Sequence, residues 1–169
     1  MFKNSVIKMD FLSHKQLVRR DILKIITFKD KIWKYGKKSQ LNWIRKNLSS
    51  NDFHIIYIIN NKIIAYANLF VQISSNFQNC VGLGNVSVLP DYRSLGIGSI
   101  FLKLIQLQLR INNREAILLC RRELIGFYLK NGFIFVDSTN ISPNFSLKSD
   151  VFIMSNFPIS KKMVLSREF

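Results

Sequence analysis

Apolar positions change their spacing several times along this chain, and each change predicts an element. Phe2, Val6, Ile7 and Met9 give a first strand over Phe2 to Met9. Ser13 and Gln16 stand three apart as a capping box, in which a hydroxyl and an amide satisfy the free N–H groups of a helix start. Val18, Ile22, Ile25 and Ile26 then follow at helical spacing. A second short helix from Ser39 buries Leu41, Ile44 and Leu48. His54–Ile59 and Ile63–Ile73 predict two strands joined at Asn60-Asn61, because Asn tolerates the positive φ of a two-residue hairpin turn.

Cys80 to Leu89 is the next strand, closed by Pro90, which lacks the N–H that a ladder needs. Gly96 to Arg110 predicts a helix with a polar stripe at Lys103, Gln106 and Arg110. Its other positions are largely apolar, so the helix is expected to be mostly covered. Ala116–Cys120 is a short unbroken apolar run, the pattern of a parallel strand buried on both faces. Strand, helix and strand in this order make a right-handed βαβ crossover. A helix over Glu123 to Lys130 stops at Asn131-Gly132, where glycine takes the left-handed position past the helix end. Phe133 to Val136 and Val151 to Met154 supply two last strands. The predicted class is α+β, a mixed and mostly antiparallel sheet with a central parallel βαβ crossover flanked by helices.

Composition narrows this picture. A chain of 169 residues, 48% hydrophobic and without a Pro-, Gly- or Ser-rich linker or internal repeat, fits a single domain over 1–169. Apolar runs are strand-length and Lys103 interrupts the longest apolar helix, so no transmembrane segment is expected. Met1 to Asp10 has no apolar core and no cleavage site of a secretory signal. Cys80 and Cys120 lack ligand spacing and a nearby His, so they read as buried thiols of a cytoplasmic protein, with no metal site.

The formal net charge is +15. An anionic partner, solubility, and compositional drift in a chain rich in Lys, Ile, Asn and Phe are all open readings of it. Lys24, Lys29, Lys31, Lys34, Lys37, Lys38, Arg45 and Lys46 crowd one region, opposed there by Asp30 alone.

The chemistry concentrates in the run from Val86 to Ser99. Successive N–H groups of a turn, continuing into a helix start, form an anion-binding nest. Gly96 and Gly98 let phosphate oxygens approach, and Arg93 adds a charge that does not titrate. Taken alone, two glycines in a strand–helix turn have an equally good structural explanation. Gly82 and Gly84 precede a strand and lack the third glycine of a dinucleotide fingerprint. Gly36-Lys37-Lys38-Ser39 lacks the upstream glycine and strand of a P-loop.

A second cluster, Phe127-Tyr128-Leu129-Lys130-Asn131-Gly132-Phe133, lies one βα unit later. With Arg93-x-x-Gly96-x-Gly98, it closely resembles the GCN5-related N-acetyltransferase (GNAT) family from about Cys80 to Val136. The resemblance implies that the amides of Ser94, Leu95, Gly96, Ile97, Gly98 and Ser99, after Arg93, hold the pyrophosphate of acetyl-CoA. It implies that Val86 and Val88 pair with the pantetheine amides and that the Val88 N–H stabilises the oxyanion. Tyr128 stands at the position of the general acid that protonates the departing thiolate, a phenol near pKa ~10 facing a thiol near ~8.5.

Two positions depart from the family pattern. Many members carry an acid nine residues before the turn's arginine; here that place is Gly84, followed by Asn85. The base is thus unassigned, with water held by Asn85, or His54 beside Asp52, as candidates. Arg121 replaces a common cofactor-contacting Asn, and it or Arg122 is able to face a phosphate.

In such enzymes the first two helices and their loop wall the acceptor site. Here they carry Trp33, Tyr35 and Trp43: Trp43 reads as core and Trp33–Gly36 as an exposed loop that stacks on a sugar or base. The basic charge disfavours polycationic acceptors, leaving an anionic or neutral small-molecule amine, such as an amino sugar or nucleotide-linked amino sugar. A protein N-terminus or lysine as acceptor, an acyl carrier protein as donor, and a non-catalytic acyl-CoA-binding module are the alternatives. Nucleic-acid binding is the weaker one.

Overall fold

The structure, a computed structural model, describes residues 5–144 and 150–169. They fall into two compact units, the first running to Leu69 and adding Asn85–Phe101, the second comprising Phe70–Gly84 and Leu102–Phe169.

The first unit is built on an antiparallel meander. β1 (Ile7–Ser13) pairs with β2 (Phe53–Ile59), Met9 opposite Tyr57, and β2 pairs with β3 (Lys62–Phe70), Ile55 opposite Ala67. Asn60 and Asn61 at φ 48° and 62° form the predicted hairpin turn. Between β1 and β2 run α1 (Arg19–Trp33) and α2 (Lys37–Asn47). Side chains alternate across the strands, so His54, Ile56, Tyr66 and Asn68 share one face. Phe28 of α1 lies on that face, its ring 6.0 Å from Tyr66. Tyr57 points the other way and meets Phe101, ring centres 6.1 Å apart.

Local chemistry moved several predicted boundaries. Phe2 lies outside the described residues, and β1 starts at Ile7 and continues to Ser13. The capping box exists, with the Ser13 N–H donating to Gln16 Oε1 at 3.0 Å, but it closes a single 3-10 turn over His14–Gln16. Leu17 and Val18 are extended, so α1 waits until Arg19, where the Asp21 carboxylate accepts the Val18 N–H at 3.4 Å. α2 begins two residues before Ser39 because Gly36, at φ 81°, turns the chain and offers its carbonyl to the Gln40 N–H at 3.1 Å. β3 stops at Phe70 rather than Ile73, since Gln72 adopts φ 56° and leaves the extended conformation.

The crossover is drawn from residues of both units. β4 (Cys80–Val88) runs parallel to β5 (Glu115–Arg121), Val81 opposite Ala116, and α3 (Ile97–Ile111) comes between them in the chain. After β5 a 3-10 turn leads into α4 (Ile125–Lys130), which ends at Asn131 and the left-handed Gly132, φ 83°. β6 (Ile134–Phe135) follows. β8 (Val151–Ser155) lies antiparallel between β5 and β6. The short parallel pair of β7 (Ile141–Pro143) and β9 (Met163–Leu165) was not predicted, because three residues carry too little alternation to register. In α3 Phe101, Leu102, Ile105 and Leu109 are buried, but Ile100, Leu107 and Ile111 join Lys103 and Arg110 on the exposed side. The helix is thus less covered than its composition implies.

Gly82 and Gly84 owe their identity to close approach. A Cβ at Gly82 would overlap the Phe169 ring. One at Gly84 would lie 2.9 Å from Cε2 of Phe70 and 3.1 Å from the main-chain carbon of Phe169.

Candidate active site

The end of β4 leaves regular geometry at Asn85, a non-glycine residue at φ 53°. Ser87 then ties its hydroxyl to the Tyr66 carbonyl at 3.3 Å, and the Leu89 N–H donates to the Ile64 carbonyl at 2.9 Å. Pro90–Tyr92 make one 3-10 turn, closed by the Arg93 N–H on the Pro90 carbonyl at 3.1 Å. Arg93 reaches back, its Nε donating to the Val88 carbonyl at 3.1 Å.

Beyond Arg93 the backbone alternates in hand. Ser94 at φ 59° and Gly96 at φ 75° flank Leu95, and α3 begins at Ile97, with Gly98 and Ser99 in its first turn. Left-handed residues in such alternation turn consecutive N–H groups to one side as a concave donor set. The next N–H to reach a carbonyl is that of Ile100, on Gly96 at 3.1 Å. A Cβ at Gly96 would meet nothing within 4 Å, so this glycine is required for its φ rather than for room inside the protein. Arg93 through Gly96 are exposed, and Val86 and Val88 are half-buried.

A cavity of about 510 Å³ opens in the first unit, lined by Lys29, Trp33, Tyr35, Ser39, Gln40, Trp43 and Asn85. Trp33 closes α1 and is half-buried, while Tyr35 follows it and is 70% exposed. Trp43, expected in the core, instead faces this cavity. Lys29, one of the basic residues that crowd this region of the sequence, is 2% exposed. Its Nζ lies 3.7 Å from the centre of the Trp43 ring, 5.5 Å from Trp33 and 5.9 Å from Tyr66. Burial lowers its pKa to about 7, against the pull of the ring faces, which favour the charged form. A signal for this was present: Lys29 falls on the apolar stripe of α1 with Ile22, Ile25, Ile26 and Trp33.

A buried polar chain reaches the cavity at Asn85, whose Nδ2 donates to Asn68 Oδ1 at 3.0 Å. The Tyr66 hydroxyl donates to the same oxygen at 3.1 Å, and Asn68 Nδ2 is committed to the Phe53 carbonyl at 3.2 Å. Those commitments assign the remaining protons. His54 donates from Nδ1 to the Tyr66 oxygen at 2.7 Å, and its Nε2 accepts from Nδ1 of His14 at 3.0 Å. Burial, with lesser contributions from His14 and Lys29, lowers the His54 pKa to about 3. With its lone pair occupied and no exposed surface, His54 orients Tyr66 and does not serve as a base open to a substrate.

In the second unit Tyr128 is 5% exposed on α4, its ring 5.2 Å from Phe127 and 5.7 Å from Phe133, both edge-on. Burial, then the Cys120 thiol, raises its hydroxyl above the ordinary phenol range. Arg121 and Arg122 are exposed at the end of β5, with the Arg122 guanidinium 5.2 Å from the Phe152 ring. Cys80 and Cys120 are free and buried, and burial pushes the Cys80 thiol up to about 12. Among the described residues no group of three His, Cys, Asp or Glu is placed to hold a metal ion, and no helix is long and apolar enough to cross a membrane.

Residues 50–135, just over half the chain, match the profile of the acetyltransferase (GNAT) domain. The chain belongs to the GNAT family. No curated protein matches it by sequence. Solved structures share the GNAT fold at low identity. Escherichia coli ElaA is 17% identical over 90% of this chain and 100% of its own, with a TM-score of 0.67. The PaiA N-acetyltransferase of Thermoplasma acidophilum, in complex with coenzyme A, is 20% identical over 93% and 99%, with a TM-score of 0.62. The ribosomal-protein-S18-alanine N-acetyltransferase of Escherichia coli is 21% identical over 90% and 95%, with a TM-score of 0.62. The predicted α+β class, with a mostly antiparallel sheet and one central parallel crossover, is the architecture of this GNAT protein.

Proposed function

We propose that residues 1–169 act as one acyl-CoA N-acyltransferase domain, moving an acetyl group from acetyl-CoA to a primary amine of a small molecule. The observation that carries this is the turn from Arg93 to Ser99, where left-handed Ser94 and Gly96 prepare a donor set at the start of α3. Its amides, Ser94 to Ser99, bind the pyrophosphate; Arg93 fixes the turn to the strand end and adds charge. Val86 and Val88 engage the pantetheine amides, and the Val88 N–H stabilises the oxyanion as the amine attacks the thioester carbonyl. Tyr128 supplies the proton to the departing thiolate; a raised pKa keeps that proton on the phenol throughout the neutral range, as an acid requires.

The acceptor occupies the cavity of Lys29, Trp33, Tyr35, Trp43 and Asn85. Indole faces suit the flat apolar side of a sugar ring or a base, and a lone lysine suits a neutral or anionic acceptor, which supports an amino sugar or its nucleotide conjugate. Free, buried thiols fit a reducing compartment, and we assign the protein to the cytoplasm. Thiol release from acetyl-CoA, followed across amino sugars, nucleotide amino sugars, polyamines and peptide N-termini, tests the proposal. Turnover of the sugars is expected. Turnover confined to peptides or polyamines overturns the acceptor, and none with any amine overturns the enzyme.

A further inference from the structure

Resting on that assignment of the cavity to the acceptor, we infer that it recognises one carboxylate. The acceptor carries a carboxylate besides its amine, bound by Lys29 Nζ and Gln40 Nε2 beside the Trp43 face.

One donor of this cavity, Gln40 Nε2, lacks a hydrogen-bond acceptor, and its neighbour Lys29 has ring faces around its ammonium but no carboxylate paired with it among the described residues. Lys29, 2% exposed, is surrounded by rings; among the described residues the ion pair recorded is Lys8 with Asp10, at 3.0 Å. Gln40, 3% exposed, leaves Nε2 without a hydrogen bond, and it is the one buried side-chain nitrogen or oxygen so left among the described residues. Buried polar groups in folded proteins are almost always paired, so an unpaired donor lining a cavity marks where a ligand acceptor belongs. The remaining polar lining, Ser39, Tyr35 and the Asn85 amide, includes no carboxylate.

Charge balance selects the anion. One ammonium in a desolvated site is matched by a monoanion, whereas a phosphate near −2 leaves an uncompensated buried charge. A planar carboxylate offers two oxygens, one for each donor.

Burial that lowers Lys29 to about 7 adds a signature, because a bound carboxylate stabilises the ammonium and draws a proton with it. The other titratable groups facing Lys29 are His54 on β2, Tyr66 on β3 and Tyr35. His54 is lowered to about 3 and Tyr66 is raised far above its usual range by burial, so neither changes charge near neutrality.

Trp33 and Trp43 are the only tryptophans in the sequence and both line the cavity, so intrinsic fluorescence reports its occupancy. The experiment titrates the full chain, saturated with coenzyme A, with muramic acid against glucosamine and with phenylalanine against phenethylamine. Glucosamine 6-phosphate is the doubly charged control. At least one acid is expected to bind tenfold or more tightly than its carboxylate-free partner and than the phosphate, with affinity weakening from pH 7 to 9. Lys29→Met and Gln40→Leu should each erase that preference while coenzyme A affinity, measured separately, shows the fold intact. Equal affinity within both pairs, preference for the phosphate, or a preference that survives Lys29→Met overturns the carboxylate site. Turnover of amines without any fluorescence change overturns instead the assignment of the cavity to the acceptor.

Discussion

Nδ1 of His54 lies 2.7 Å from the hydroxyl of Tyr66, and neither side chain has exposed surface. The pair is the centre of a chain of hydrogen bonds from His14 to Asn85, and each member has its donor and acceptor roles fixed by the next. Tyr66→Phe removes the oxygen that accepts from His54 and the proton that Asn68 accepts. A loss of about 1–3 kcal/mol is expected from the buried groups left unpaired, read from the urea midpoint.

The same pair gives stability a pH dependence. The folded His54 pKa, about 3, lies below the ordinary 6.5, so the unfolded chain binds more protons in that interval. Its contribution is therefore complete above pH 6.5 and is lost as pH falls from 6.5 toward 3. Unfolding curves across this range should show a shallower decline in His54→Gln than in the parent chain. Identical slopes would sink the assignment.

Gly96 holds φ 75° in the turn that precedes α3, with open space around it. Gly96→Ala thus creates strain without a clash, at a cost of about 1–2 kcal/mol for an L-residue in that region. Relaxing the turn disperses the donor set. Coenzyme A affinity should fall at least tenfold, measured by calorimetry, with β1–β3 intact by circular dichroism.

Tyr128→Phe separates a proton donor from a packing residue. The ring contacts with Phe127 and Phe133 survive the change, and the hydroxyl is lost. Turnover should drop by about 10²-fold or more with coenzyme A affinity preserved. Unchanged kcat would remove Tyr128 from the chemistry.

Restoring an acid at Gly84, the place where many family members carry one, is expected to fail. Its Cβ would stand 2.9 Å from the Phe70 ring and 3.1 Å from the Phe169 main chain. Gly84→Glu should destabilise the protein by about 1–3 kcal/mol through overpacking, seen as a lower Tm, with no gain in turnover.

Long periodic segments made most of the fold legible from the sequence. The meander, its Asn60-Asn61 turn, the crossover and the Gly132 stop follow from local patterns that tertiary contacts reinforce. Boundaries were less readable where a single dihedral decided them, as at Gln72 and Gly36. On the donor side, the spacing of Arg93, Gly96 and Gly98 in one short run was sufficient to find the turn. The cavity around Lys29 and Trp43 assembles residues from α1, α2 and β4, distant in sequence, and no spacing encodes it. Lys29 was hidden by residue type: a lysine on an apolar stripe counts as surface charge until its surroundings are known.

Arg93 binds the carbonyl of Val88 through one of its five N–H groups, so the residue that shapes the turn also electrifies it. A guanidinium is a delocalised, planar cation, so this turn carries a fixed charge at the start of α3. Lys29 is the opposite kind of cation, its charge set by what sits beside it and by the acidity of the medium. On the proposed roles, cofactor capture would be insulated from conditions and acceptor choice left responsive to them.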